Sequence, residues 1–401
     1  MNSTGGPIES ASGQARIPSL DALRGLIMVL MALDHARYFI AKDHPAEFWG
    51  LLLPEYSNAL PFLTRLVTHI CAPGFFFLMG TSMVLLAWMR GKSGWSDSRI
   101  RKYFISRGAL LILVQHLLEN PAWLLGTVGL PTAEAMKFQA AVPGGGDTVW
   151  LHFGVLYGLG AAMIVCAMLL RMSAKQQVAV GLGAVLTTSA LLPGPDNAPL
   201  HYPPLMRLFL IPGRSGIWQV FYPLLPWLGL AGFGMAFGQA ILRNRHRTLR
   251  AAPIIGVVLV LTFVLLRWKT DFGDFHPLEV SGASEEPRWI AFLNVTKYPP
   301  SLAFILLTLG VDLLLLGLLS KLINDKSGPH NPLLTFGKTA FFFYLAHLYL
   351  YAIVGLFFPR GVSLIWMYPF WLLGLLLLYP LSRWYGNFKQ QTSSDSLWRF
   401  F

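Results

Sequence analysis

A chain of 401 residues that is 54% hydrophobic and 12% charged, with a mean hydropathy of +0.54, does not have the composition of a soluble globular domain; it has that of a polytopic membrane protein. The net charge of +12 does not signal nucleic acid, because no nucleic-acid motif accompanies it and basic residues gather in the cytoplasmic loops of membrane proteins. Cys71 and Cys166 both fall in apolar runs, so no disulfide framework is expected.

Residues 1–18 are small and polar without a secretory signal, so the first apolar helix is expected to act as its own uncleaved anchor. Apolar stretches follow near 20–40, 60–89, 103–118, 150–170, 177–192, 219–242, 252–267, 300–320, 333–357 and 362–382. They predict an all-α, polytopic membrane bundle of about ten transmembrane helices. The expected division is a polar tail over 1–18, a transmembrane domain over 19–385 and a cytoplasmic tail over 386–401. With the N-terminus placed inside, the inside segments collect eighteen basic residues against four acids, and twelve of the nineteen acids fall in the opposite loops. That asymmetry fits ten spans with both termini cytoplasmic. The outside connections 41–59, 119–149 and 268–299 are long, and the outside stretches rich in Pro and Gly read as irregular structure without further helices.

The first span, SLDALRGLIMVLMALDHARYFI, carries the wrong residues for lipid. Only nine uncharged residues, Gly25 to Leu33, separate Arg24 from Asp34; at ~1.5 Å per residue they cover roughly 13 Å of a ~30 Å hydrocarbon layer. Arg24 and His35 lie eleven residues apart, about 1,100° of rotation, so they share one helix face about 16 Å apart along the axis. Asp21 joins that face as an i,i+3 partner for Arg24, while Asp34 points about 80° away. The topology places His35 and His69 near mid-membrane. It puts His116, His152 and His347 toward the outer half, and His44, His201 and His276 in outside loops. Ionisable side chains at such depths face the bundle interior and are functional candidates.

Arg24-x10-His35 resembles the R-x10-H signature of acyltransferase-3 type membrane proteins. The segment as a whole is more similar to the transmembrane acyltransferases related to heparan-alpha-glucosaminide N-acetyltransferase. The resemblance continues in CAPGFFFLMGTS (71–82), FYPLLPWLGLAGFGMAFG (221–238), KYPPSLAFILLTLG (297–310) and GKTAFFFYLAHLYL (337–350). It implies transfer of an acetyl or acyl group from cytoplasmic acetyl-coenzyme A to a sugar or glycan-type acceptor on the outer face. It also implies a multi-pass protein of a bacterial inner membrane. Under that reading Arg24, Asp21, Arg101 and Arg107 are the candidates for holding coenzyme A, since guanidinium groups suit phosphates. Lys102 reads as ordinary positive-inside charge. His35 is the candidate general base, with an acetyl-histidine route as the alternative.

The lysosomal branch carries its catalytic histidine in the loop after the first span, with asparagine at the position of His35 and aspartate at that of His69. His44 is therefore a rival to His35, and Asp34 joins them as a catalytic candidate. His69, His116, Glu119, His152, Lys297 and His347 are the candidates for the acceptor, His69 alternatively polarising His35. Asp312 is expected to pair with Arg107 or Arg24. Lys297-Tyr298-Pro299-Pro300 reads as a rigid helix start with Pro in the first turn, and Asn294-Val295-Thr296 as a formal glycosylation sequon. His116 and Glu119 are too few for a metal site, and no metal is expected. The competing readings are a proton-coupled transporter with Arg24, Asp34 and His35 as its relay, and a non-catalytic subunit whose polar residues lock helices together. The bilayer is the expected partner, nucleic acid is not, and a homodimer is one open option.

Overall fold

The computed structural model describes residues 17–128, 151–192, 202–269, 272–276, 278, 286–323, 328, 330–392 and 398. His201, most of the 119–149 connection and nearly all of the N-terminal tail lie outside them. Helix α1 spans Pro18–Ala36, with proline in its first turn, and runs into a π-helical turn over Arg37–Ala41. Lys42, at φ 56°, then turns the chain out of the helix. Helices α2 (Ala59–Thr68) and α3 (Cys71–Lys92) are separated only at His69 and Ile70. Helix α4 (Asp97–Val114) starts at Ser96, whose side chain accepts from the Arg99 amide. It passes through a second π-helical turn, Gln115–Glu119, into α5 (Asn120–Leu125). Strand β1 (Leu151–Phe153), helices α6 (Val155–Leu169), α7 (Ala174–Leu191) and α8 (Pro204–Phe209), and strands β2 (Gly213–Ser215) and β3 (Trp218–Val220) follow. The chain continues as α9 (Leu224–Lys269), α10 (Arg288–Leu293), α11 (Leu302–Leu322), α12 (Pro332–Lys338), α13 (Ala340–Leu356) and α14 (Leu364–Gln391).

Among the described residues, five helical stretches are long and apolar enough to cross a bilayer: 59–92, 97–125, 224–269, 302–322 and 364–391. The pair α12 and α13, bent by 97°, makes a sixth if counted as one span. The chain is thus an integral, multi-pass membrane protein. The 46 residues of helix α9 would measure about 69 Å as one rod, more than twice the hydrocarbon thickness. Asn244, at φ −158° and ψ 92°, leaves the helical region and breaks it. Before the break Gly234 lies against Phe77 and Gly238 against Thr81, so this half runs parallel to α3. After it Pro253 meets Gly317 and Gly256 meets Gly310, so the second half runs antiparallel to α11. The chain therefore reverses at Asn244. Arg245 and His246 then share one depression with Pro18, Ser19, Ser320 and Ile323, which marks the Arg24 end of the bundle.

At the opposite end the described parts of the connections are folded, while the Pro- and Gly-rich stretches expected to be irregular, 129–147 and most of 191–204, lie outside the described residues. Strand β1 pairs parallel with β3, and β3 antiparallel with β2, while α8 and α10 add short helices. Side chains tie these loops down. His276 bridges Thr296 Oγ1 and the Leu51 carbonyl, each at 2.7 Å, and Asn294 donates to the Pro54 carbonyl. Asn294, part of the formal sequon, is buried and spent on that bond. Pro299 and Pro300 precede α11 instead of entering it, and Ser301 caps the helix by accepting from the Phe304 amide.

Helix α1 is enclosed by α2, α3, α11, α12, α13 and α14, which answers why it tolerates charges. Its contact with α12 leaves no room for side chains. A Cβ on Gly25 would stand 1.9 Å from the Leu333 carbonyl oxygen, and one on Gly337 1.8 Å from that of Asp21. Gly25→Leu should therefore separate the helices and lower the thermal midpoint in detergent, at a cost of about 1–3 kcal/mol or more. Gly91→Ala, where nothing lies within 4 Å, should leave it unchanged. Equal midpoints for the two variants in a fluorescence melt would refute this packing.

Candidate active site

Where α1 loosens into its π-helical turn, a cluster of histidine and aromatic side chains forms. His35 and His347, on α1 and α13, face each other with Nδ1 of His35 2.7 Å from Nε2 of His347 and their ring planes within 6° of parallel. The second His347 nitrogen, Nδ1, is 2.8 Å from the Phe343 carbonyl. A carbonyl only accepts, so Nδ1 of His347 carries the proton and Nε2 carries the lone pair. His35 must then donate from Nδ1, which leaves its Nε2 as an unprotonated acceptor. No protein group among the described residues occupies that nitrogen. The histidine bonded to His35 is thus His347; of the two roles open to His69, polarising His35 is not the one it takes.

Trp123 of α5 fixes the other faces. Its indole lies 5.1 Å from His35 edge-on, 4.7 Å from Tyr38 and 5.3 Å from Phe39. Its Nε1–H donates to Glu119 at 3.1 Å. Tyr38 carries the contact on to His44, 5.3 Å away. Trp123 also meets His152 at 6.2 Å. Gly154 follows β1 where Glu119 Oε1, His152 Nε2 and Gln115 Oε1 converge, and a Cβ there would come within 3.1 Å of each. Glu119 and the Tyr344 hydroxyl, both buried, interact with each other beside this point. The π-helical turn over 115–119 aims Gln115 and Glu119 inward together, a role such turns often have. His116 on the same turn points elsewhere, to Asn120 and the Phe153 ring.

Beneath this cluster runs a buried ionic network the sequence reading did not find. Arg65 of α2, 1% exposed, grips Glu47 through Nε and Nη2 at 2.9 and 2.8 Å. Its Nη1 donates to Asp34 at 2.8 Å, and Thr68 adds a hydroxyl to the same oxygen. His69 Nε2 stands 3.3 Å from Glu47. Burial raises the Glu47 carboxyl pKa, but Arg65 and His69 outweigh it and hold the group well below the usual carboxylate range. Asp34 is accordingly engaged with Arg65 and Thr68. The visible signal was an arginine inside the apolar run ALPFLTRLVTHI, four residues before His69. His44, in the loop, is pushed down to about 3 by burial against the pull of Asp34, so it is neutral at pH 7. Its Nδ1 is buried without a partner among the described residues.

The Arg24 end is built differently. Arg24 pairs with Asp21 at 2.7 Å, as the i,i+3 spacing predicts, and reaches Ser82 on α3 at 3.0 Å and the Gly337 carbonyl at 3.4 Å. Asp312 is fully buried beside Gly74, with no partner for either oxygen among the described residues; the expected pair with Arg24 or Arg107 does not form. Arg107 instead donates to the Tyr103 hydroxyl. Arg101 lines a depression of about 610 Å3 with Trp88, Arg171, Gln176, Gln239 and Arg243. Lys297, 3% exposed, belongs to the histidine end, its ammonium 5.1 Å from the Tyr298 ring.

The network sets a stability test. Arg65→Ala leaves two buried carboxylates unpaired and should cost about 3–5 kcal/mol, read as a large fall in the thermal midpoint. Arg101→Ala, at an exposed position, should move it little. A midpoint for Arg65→Ala close to the parent's would show that the network does not support the fold.

Residues 16–268 match the sequence family described as heparan-alpha-glucosaminide N-acetyltransferase, catalytic. A search of curated proteins returned no match. The matched stretch is more than half of the chain and includes α1 with Arg24 and His35, the His44 loop, the Arg65 network and the Trp123 turn, whereas Lys297 and His347 come from beyond it. The chain belongs to the heparan-alpha-glucosaminide N-acetyltransferase catalytic family.

Proposed function

We propose that the protein is a membrane acetyltransferase that takes an acetyl group from cytoplasmic acetyl-coenzyme A and passes it to an amino-sugar or other glycan-type acceptor on the outer face. The observation that carries the reading is the His347–His35 bond, which presents His35 Nε2 as a lone pair. A general base needs that state, held in place before the acceptor arrives. When Nε2 takes the acceptor's proton, His347 Nε2 shares the Nδ1 proton and stabilises the imidazolium. Glu119, His152 and Trp123 border the same group and supply hydrogen bonds and an aromatic face to a polyhydroxylated acceptor. His69 and His116, turned to Glu47 and Asn120, support this wall and do not face His35.

The donor is assigned to the other end. Arg101, Arg171 and Arg243 line the 610 Å3 depression, and guanidinium groups bind phosphate bidentately. Arg24 and Asp21, bonded to Ser82 and to each other, brace the path from that end. We place both termini and this end in the cytoplasm, with ten spans. Loop charge supports that orientation, and the reversal at Asn244 supports counting α9 as two spans. Cysteine labelling tests it: a Ser93→Cys variant should react with a membrane-impermeant maleimide only after the cytoplasmic face is opened. Cys71 and Cys166 are buried and contribute little background. Labelling from the outer face of sealed vesicles would invert the topology.

His44 is the second reading for the base, favoured by its buried, unpartnered Nδ1 and its neutral state. Purified protein supplied with radiolabelled acetyl-coenzyme A and an amino-sugar panel separates the two. His35→Ala should lower kcat by about 10²–10⁴-fold, His347→Phe by less, and His44→Ala least, with coenzyme A binding retained throughout. A full loss in His44→Ala alone would transfer the role to His44. Absence of coenzyme A binding in the parent would end the acetyltransferase reading.

A further inference from the structure

Lys297 lies in the segment clipped against the loop after α1. The amides of Lys297 and Tyr298 both donate to the Glu47 carbonyl, at 3.0 and 2.9 Å, and the Trp49 amide returns a bond to Tyr298. This places Lys297 one link from Glu47, which Arg65 holds beside Asp34, the residue before His35. Its side chain is buried, yet its ammonium makes no hydrogen bond and no ion pair among the described residues, only the contact with the Tyr298 ring. Other buried cations of this end are matched: Arg65 by two carboxylates, Arg37 by Asp43 and the Pro61 carbonyl, Arg267 by Asp274 and several carbonyls. An ammonium on so largely buried a side chain, left without an acceptor, is poorly compensated. The Tyr298 ring beneath it lies 5.3 Å from Phe221, which lies 5.0 Å from His152, and His152 meets Trp123, the neighbour of His35, so Lys297 stands on the same aromatic wall as the group that receives the acceptor's proton.

An acyl transfer creates an acceptor for such a cation at one moment only. The acceptor nitrogen or oxygen bonds to the thioester carbon, the carbonyl electron pair moves onto oxygen, and the acceptor's proton passes to His35 Nε2. The oxyanion then re-forms the carbonyl, the carbon–sulfur bond breaks, and the departing thiolate takes the proton from His35 to give free coenzyme A. Charge on the carbonyl oxygen exists only in the tetrahedral state. A donor aimed there lowers the barrier without tightening the ground state.

We propose that Lys297 is a catalytic residue whose ammonium binds the carbonyl oxygen of the transferred acetyl group and stabilises the tetrahedral oxyanion. This rests on the acetyltransferase reading above. The test is steady-state transfer from acetyl-coenzyme A to the amino sugar that the parent protein uses best, with coenzyme A binding by calorimetry, in Lys297→Met and Lys297→Arg. Met should lower kcat by about 10²–10³-fold with both KM values and coenzyme A affinity near the parent's. Arg should recover a large part of the loss because the charge returns. A kcat for Met equal to the parent's overturns the proposal. So does a loss confined to the acceptor KM, which would make Lys297 an acceptor-binding residue. If the Met variant is not monodisperse, Lys297→Gln is read in the same way. An inactive parent sinks the underlying reading and this role with it; an active parent with an unaffected variant sinks this role alone.

Discussion

Arg65 is the constraint around which the histidine end is organised. One guanidinium holds a carboxylate from α1, Asp34, and one from the following loop, Glu47. Arg65 lies on α2, so the bond joins three consecutive pieces of chain at the point where α1 ends. It acts together with the apolar side chains of the loop after α1, of which Phe48, Trp49 and Tyr56 are buried. Glu47 also anchors Lys297 and Tyr298 through its carbonyl, so the network fixes the position of a segment 250 residues further along the chain. Buried ion pairs of this kind are weak as sources of net stability. Their value here is registry: they decide which side chains stand next to His35.

The same separation of labour runs along α1. At its start Arg24 is partly exposed and spends its bonds on neighbours in the bundle. At its end His35 keeps one nitrogen free. Eleven residues of helix connect a group that braces the chain to a group available for chemistry. Glycines that bring α12 against α1 let Pro332–Lys338 and Ala340–Leu356 turn by 97°, and that turn delivers His347 to His35.

Much of this was legible in the sequence, and the gaps have physical causes. Helix periodicity gave the Arg24–His35 phase and the Asp21–Arg24 pair because both lie within one helix, where spacing fixes geometry. His35–His347 joins residues 312 apart, and no local pattern encodes which distant histidine comes to rest beside which. His69, nearer in sequence and offered as one alternative for polarising His35, stands against Glu47 instead. Arg65 was hidden by its setting, since a single arginine inside a long apolar run reads as part of the span. Asp312 shows the converse: burial predicts a partner for a carboxylate, and neither oxygen has one among the described residues. The folded strands over 151–153 and 213–220 were missed because their three-residue lengths are below what alternation can reveal.

Charge balance links these observations to mechanism. Asp34 and Glu47 contribute two negative charges, Arg65 one positive, and the ammonium of Lys297 makes the set neutral. Neutrality does not require the ammonium to touch either carboxylate, because Arg65 and Thr68 already satisfy Asp34 and Arg65 already satisfies both Glu47 oxygens. Lys297 is therefore compensated at long range while its donors stay unused at short range. A cation in that condition gains little from a neutral thioester and much from an oxyanion. The family match ends at residue 268, so the segment after α9 brings both the cation, Lys297, and the partner of the base, His347. The two halves of the chain have to meet for the site to exist, and the Arg65 network with the α1–α12 contact is what makes them meet.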